Sequence, residues 1–142
     1  MTLQPCTRTS AQPKSRTVLL VEDEPFVREA TRSILEKAGY EVLPAEDAAD
    51  AMQVIEACKH SVDLVMTDMI LPGRTGQELG QDLRQRFPGM RVLVTSGYTN
   101  AEYAVEEPKS QTYFLAKPYS RRGLIEKIET ILGTMSFHQA AG

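Results

Sequence analysis

Apolar residues along the chain fall into five short runs, separated by stretches in which they recur every three or four positions. Thr17 to Val21 (TVLLV), Tyr40 to Leu43, Val62 to Thr67, Arg91 to Thr95 (RVLVT) and Thr112 to Ala116 have the length and composition of strands covered on both faces. The intervening patterns are helical. Pro25 opens the first, where its missing N–H costs nothing; Val27, Ala30, Ile34 and Ala38 give it an apolar stripe, and Gly39 ends it. Ala48, Ala51, Met52 and Ile55 mark a second helix. Thr75 and Glu78 form a capping-box pair ahead of Leu79, Leu83 and Phe87, with Pro88-Gly89 as the stop. A fourth helix after Thr99 is curtailed by Pro108. Ser120 caps the last, with Leu124, Ile125, Ile128, Ile131 and Leu132 as its stripe and a staple between Tyr119 and Leu124. Strands and helices in strict alternation predict an α/β fold: a parallel sheet between two helical layers.

Length and charge bound this picture. The 142 residues suit one domain that buries roughly two-thirds of the surface of its unfolded chain. Residues 17–133 form the expected folded unit. Residues 1–16, polar and holding two prolines, read as a flexible leader or linker, and residues 134–142 as a flexible tail. A net charge of -3 disfavours nucleic acid or an anionic membrane as the main partner. With neither a membrane-length apolar run nor a signal-peptide core, the expected location is cytoplasmic. Cys6 and Cys58 form no metal or redox motif and are expected to be reduced thiols. His60 and His138 have no partners at metal-ligand spacing.

The chemistry lies in the residues that follow the strands. In a parallel sheet all carboxyl ends share one edge, where ligands bind. Glu22 and Asp23 follow the first strand, Asp68 the third, Ser96 the fourth and Lys117 the fifth. Each alone has a bland reading: acids at a helix start, a turn aspartate, a Ser-Gly turn, a surface lysine. Their joint placement outweighs these. Three gathered carboxylates repel one another unless a cation joins them, and hard oxygen ligands suit Mg²⁺. Lys117 and Ser96 then offer a positive charge and a hydroxyl to a phosphoryl group, with Asp68 as the nucleophile that becomes an aspartyl phosphate.

Four motifs in order, LLVEDEP, VMTDMILPG, VTSGY and FLAKPY, resemble the receiver domain of two-component response regulators across about residues 16 to 133. The wording of TDMILPG, LVTSGYT and FLAKPY is most similar to receivers of hybrid sensor histidine kinases. The resemblance implies a three-layer flavodoxin-like (βα)5 fold with strand order 2-1-3-4-5. It implies Asp68 as the phosphorylation site, and Mg²⁺ held by Glu22, Asp23, Asp68 and the backbone carbonyl of Ile70. It further implies Ser96 and Phe114 as the switch pair and a cis peptide before Pro118; Phe114 is equally a plain core residue by pattern. The implied donor is a sensor histidine kinase or a histidine phosphotransfer protein, and the implied role is signalling rather than enzymatic turnover of a substrate. The region of the fourth helix, which many members use to dimerise or signal, is shortened here, and homodimerisation stays open. Ile70 and Tyr98, two positions after Asp68 and Ser96, are bulky and predict slow autodephosphorylation. Two rival readings remain. One is an interaction module independent of phosphorylation. The other is a Mg²⁺-dependent phosphatase of the haloacid-dehalogenase type, which needs an aspartate where Ile70 stands.

Overall fold

A computed structural model describes residues 16–58, 62–97 and 111–133. Five strands, β1 (Thr17–Val21), β2 (Glu41–Ala45), β3 (Leu64–Asp68), β6 (Arg91–Ser96) and β7 (Thr112–Ala116), form one parallel sheet in the order β2-β1-β3-β6-β7. Counting only these five, this is the expected order 2-1-3-4-5. Every residue of β1 is buried, as an interior strand covered on both faces requires.

Four helices are described: α1 (Pro25–Lys37), α2 (Ala48–Cys58), α3 (Gly76–Arg86) and α4 (Arg121–Leu132). Successive strand side chains point to opposite faces, so the core divides in two. Leu19, Val21, Val65, Val92 and Val94 meet Ile55 of α2 and Leu79 and Leu83 of α3. Val18, Leu20, Leu64, Met66 and Leu93 meet Leu35 of α1 and Leu124 and Ile128 of α4 on the other face. The three layers follow directly from this alternation. The fourth helical pattern, from Thr99 to Pro108, lies outside the described residues, as do residues 1–15 and 134–142.

The caps lie where the polar signals place them. Thr75 and Glu78 satisfy each other's backbone N–H groups in a complete capping box at α3. The Ser120 hydroxyl accepts from the Gly123 N–H at 2.9 Å, and Tyr119 and Leu124 share one core cluster.

One expectation is corrected here. The inward face of α1 is built on Thr31 and Leu35 rather than on Val27 and Ala30; Val27 is 38% exposed and Phe26 87% exposed. Thr31 is polar by name yet buried, its side chain bonded to the Tyr119 phenol, so a stripe drawn from apolar residues alone is rotated by one position. The Pro72-Gly73 turn joins two short antiparallel strands, β4 (Ile70–Leu71) and β5 (Arg74–Thr75), which form a small hairpin between β3 and α3.

Candidate functional site

The parallel register brings all five strand ends to one edge. Val21 pairs with Ala45 and Thr67, Asp68 with Thr95, and Ser96 with Ala116. Backbone bonds just beyond the strands extend this alignment. The Glu22 N–H donates to the Ala45 carbonyl at 3.0 Å, Met69 N–H to Thr95 at 2.7 Å, and Lys117 N–H to Ser96 at 2.7 Å. The first residues past each strand are therefore held as firmly as the strands. Asp68 itself is the last residue of β3, one position further into the strand than the pattern suggests.

Glu22, Asp23 and Asp68 each place a carboxylate oxygen within 4.8 Å of the others. Their exposures differ: Glu22 is only 6% exposed, Asp68 is half-buried and Asp23 is open to solvent. Burial pushes the Glu22 carboxyl above the usual carboxylate range. The Glu24 N–H, donating to it at 3.1 Å, opposes that rise, and the charges of Asp68 and Asp23 add to it. Lys117 reaches in from the end of β7, its Nζ 3.2 Å from Asp68 Oδ1.

Among the described residues one ammonium faces three carboxylates, which leaves the cluster electrostatically short of positive charge. Its donors are all oxygens, one buried and one open, and such a set fits a hard divalent cation that keeps part of its water shell.

Ser96 is buried at 1% exposure, and its hydroxyl oxygen has no hydrogen-bond partner among the described residues. A buried hydroxyl without a partner is costly unless water or a ligand meets it. Phe114 is buried within β7 on the α2–α3 side of the sheet, paired in register with Val94. The Lys117–Pro118 peptide is cis. Ile70 is 62% exposed. Tyr98 lies outside the described residues, as does His60.

Several supporting residues are missing from the sequence reading. Arg28 donates to the Glu22 carbonyl at 2.7 Å, tying the first turn of α1 to the acidic pair. The Thr67 hydroxyl donates to the Asp68 carbonyl at 3.0 Å. The Tyr119 phenol bonds to Thr31 and lies near enough to Glu22, Asp68 and Lys117 to feel their charges; burial pushes it above the ordinary tyrosine range. A helix that begins with Gly76, a poor helix former, was the one visible hint that backbone there approaches something closely. Cys58 is disulfide-bonded, which corrects the expectation of a free thiol; spacing along a chain says nothing of where two sulfur atoms meet in space. No described helix is long and apolar enough to cross a membrane.

Comparison with known proteins bears on the family and the fold. The model of the response regulator receiver domain family matches residues 18–129. Sensor kinase CckA of Brucella abortus is 34% identical over 119 residues, covering 83% of this chain and 13% of the kinase. Transcriptional regulatory protein AruR of Pseudomonas aeruginosa is 30% identical over 127 residues, covering 87% of this chain and 52% of the regulator. The chain thus spans about half, or far less, of these relatives' lengths. Among solved structures, the receiver domain of the hybrid histidine kinase CckA superposes with a TM-score of 0.69 at 30% identity, covering 82% of this chain and 98% of that one. A receiver domain protein of Clostridium thermocellum reaches 0.78 at 24% identity, over 86% of this chain and 98% of that one, a likeness of fold alone. With the family pattern running through the strands that carry the acids, the aspartate and the lysine, this chain belongs to the response regulator receiver domain family.

Proposed function

We propose that the domain accepts a phosphoryl group on Asp68 from the phosphohistidine of a sensor histidine kinase or a histidine phosphotransfer protein. The observation that carries this reading is Lys117 Nζ at 3.2 Å from Asp68 Oδ1, beside three carboxylates within 4.8 Å of one another. A bare nucleophile would need only the aspartate. The acids and the ammonium around it supply what a transferring phosphoryl group requires: sites for positive charge on both sides of the attacking oxygen.

In the step itself, an Asp68 carboxylate oxygen forms a bond to phosphorus as the phosphorus–nitrogen bond to the donor imidazole breaks. The imidazole keeps the electron pair and leaves as the neutral ring once protonated. Lys117 holds one phosphoryl oxygen through its ammonium, and the orphaned Ser96 hydroxyl donates to another. Glu22, Asp23, Asp68 and the Ile70 carbonyl would hold Mg²⁺, which offsets the mutual repulsion of the carboxylates and the negative charge of the phosphoryl oxygens. Inward movement of Ser96 then changes the room available beside Phe114. This biases a two-state equilibrium of the surface formed by β7 and α4. The domain acts as a signalling switch, its chemistry confined to its own phosphorylation and slow autodephosphorylation.

Intact mass after incubation with Mg²⁺ and acetyl phosphate tests the reading. The wild-type chain gains one phosphate and Asp68→Asn gains none. Equal labelling of the two would overturn it. Turnover of a generic phosphate ester would favour the phosphatase reading, which the apolar Ile70 disfavours.

A further inference from the structure

At the first residue of α3, the sequence places a glycine against the backbone of the acceptor itself. A Cβ built on Gly76 would lie 2.3 Å from the Asp68 carbonyl oxygen, 3.1 Å from its carbonyl carbon and 3.0 Å from Thr67 Cγ2. Side-chain carbons do not come this close to backbone oxygen, so the empty position is a requirement of the packing. The Gly76 N–H also donates to the Met69 carbonyl at 2.6 Å, closing the hairpin back onto the end of β3.

From these contacts we propose that Gly76 is a positioning residue for phosphoryl acceptance: its missing side chain lets α3 seat directly on the Asp68 peptide and so sets where the acceptor carboxylate stands. This inference rests on the reading of Asp68 as acceptor. The Asp68 peptide has no easy escape. Asp68 pairs with Thr95 in the sheet, the following N–H is bonded to Thr95, and its carbonyl accepts the Thr67 hydroxyl at 3.0 Å. Nor is α3 free to recede, because Leu79 and Leu83 are fully buried beneath it.

A methyl at position 76 must open the gap from 2.3 Å to the 3.4 Å of ordinary contact, a shift of about 1 Å. Whatever part of that shift the Asp68 peptide takes up is passed to its carboxylate and disturbs the 3.2 Å contact with Lys117. Misplacement of a reacting group by about 1 Å lowers a rate roughly 100-fold.

Gly80 supplies the control. It lies one turn further along α3, and a Cβ there meets only side-chain atoms, Val92 Cγ1 at 3.1 Å and Arg84 Nη1 at 3.3 Å. Both variants add the same methyl to the same helix. The test measures two quantities on the full 142-residue chain: the phosphorylation rate constant at saturating acetyl phosphate and Mg²⁺, and the ¹³C shift of the Asp68 carboxyl with no phosphodonor present.

In Gly76→Ala the saturating rate falls about 100-fold and the Asp68 signal moves. In Gly80→Ala the rate stays within about twofold of wild type and the signal stays put, whatever either does to Tm. Equal rates and equal spectra in two folded variants would overturn the proposal. Should Gly76→Ala not fold, Thr67→Val replaces it, removing the hydroxyl that holds the same carbonyl: a moved Asp68 signal with a slower saturating rate supports the proposal, and a wild-type signal and rate overturn it. A wild-type chain that gains no phosphate would remove the acceptor reading alone, since the carboxyl shift still decides whether Gly76 positions Asp68.

Discussion

Replacing Asp68 with asparagine should stabilise the metal-free protein, even though it removes an ion pair. Asp68 has one attractive neighbour, Lys117 at 3.2 Å, and two repulsive ones, Glu22 and Asp23, within 4.8 Å. At an effective dielectric constant of about 20, the attraction is worth about 5 kcal/mol and the two repulsions about 3.5 kcal/mol each. Before screening, exchanging the charged side chain for a neutral amide relieves a net repulsion of about 2 kcal/mol. The pair is partly open, with side-chain exposures of 31% for Lys117 and 19% for Asp68, and solvent screening brings the net effect to about 1 kcal/mol. For a domain of this size that corresponds to a rise in Tm of about 4 °C. Urea unfolding in EDTA, followed by circular dichroism, measures it. Saturating Mg²⁺ reverses the order. The wild-type cluster gains about 2.7 kcal/mol at a cation concentration 100 times its dissociation constant, and the asparagine variant gains less for want of one ligand. A variant less stable than wild type in EDTA would show that the lysine contact outweighs the crowding of acids. The electrostatic account of the site would then fail.

Further outcomes follow from other parts of the structure. Lys117→Ala should lower the saturating rate of phosphorylation by acetyl phosphate about 100-fold or more, as loss of a positioned cation does, and a wild-type rate would dismiss the ammonium from the chemistry. Leu35→Ala removes a fully buried side chain from the α1–α4 side of the core and should cost 2–5 kcal/mol in urea unfolding, within the range for such truncations of roughly that size. Burial holds the Tyr40 and Tyr119 phenols above the ordinary value of 10.0. The folded state therefore binds more protons than the unfolded chain above that pH. The stability these phenols contribute is complete below pH 10.0 and is lost as pH rises through their folded values, so Tyr40→Phe should flatten the alkaline decline measured by denaturation.

The chain's alternating pattern was sufficient for the three-layer architecture. Runs such as TVLLV have no polar face, so they must be covered on both sides, and only a parallel sheet between helices does this repeatedly. Capping signals at Thr75 and Ser120 were equally legible, because a cap is satisfied by residues three positions away. The inward face of α1 was not. Its burial is decided by what the sheet presents to it, and Thr31 carries both a methyl and a hydroxyl.

The candidate residues were likewise legible in the sequence, since each acid, hydroxyl or amine lies at or just past the end of a strand-like run. Their distances were not. That Lys117 meets Asp68 at 3.2 Å, that Glu22 alone of the three acids is fully buried, and that Ser96 is left without a partner are properties of residues brought together from different strands. Gly76 marks the boundary most clearly. Its place in the chain says only that a glycine begins a helix; that its absent side chain leaves room for the Asp68 carbonyl is known only once α3 has packed on β3. Local pattern determines which groups reach the edge of the sheet, and the packing of layers determines how close they stand, because energies at such a site change with fractions of an ångström that no pattern encodes.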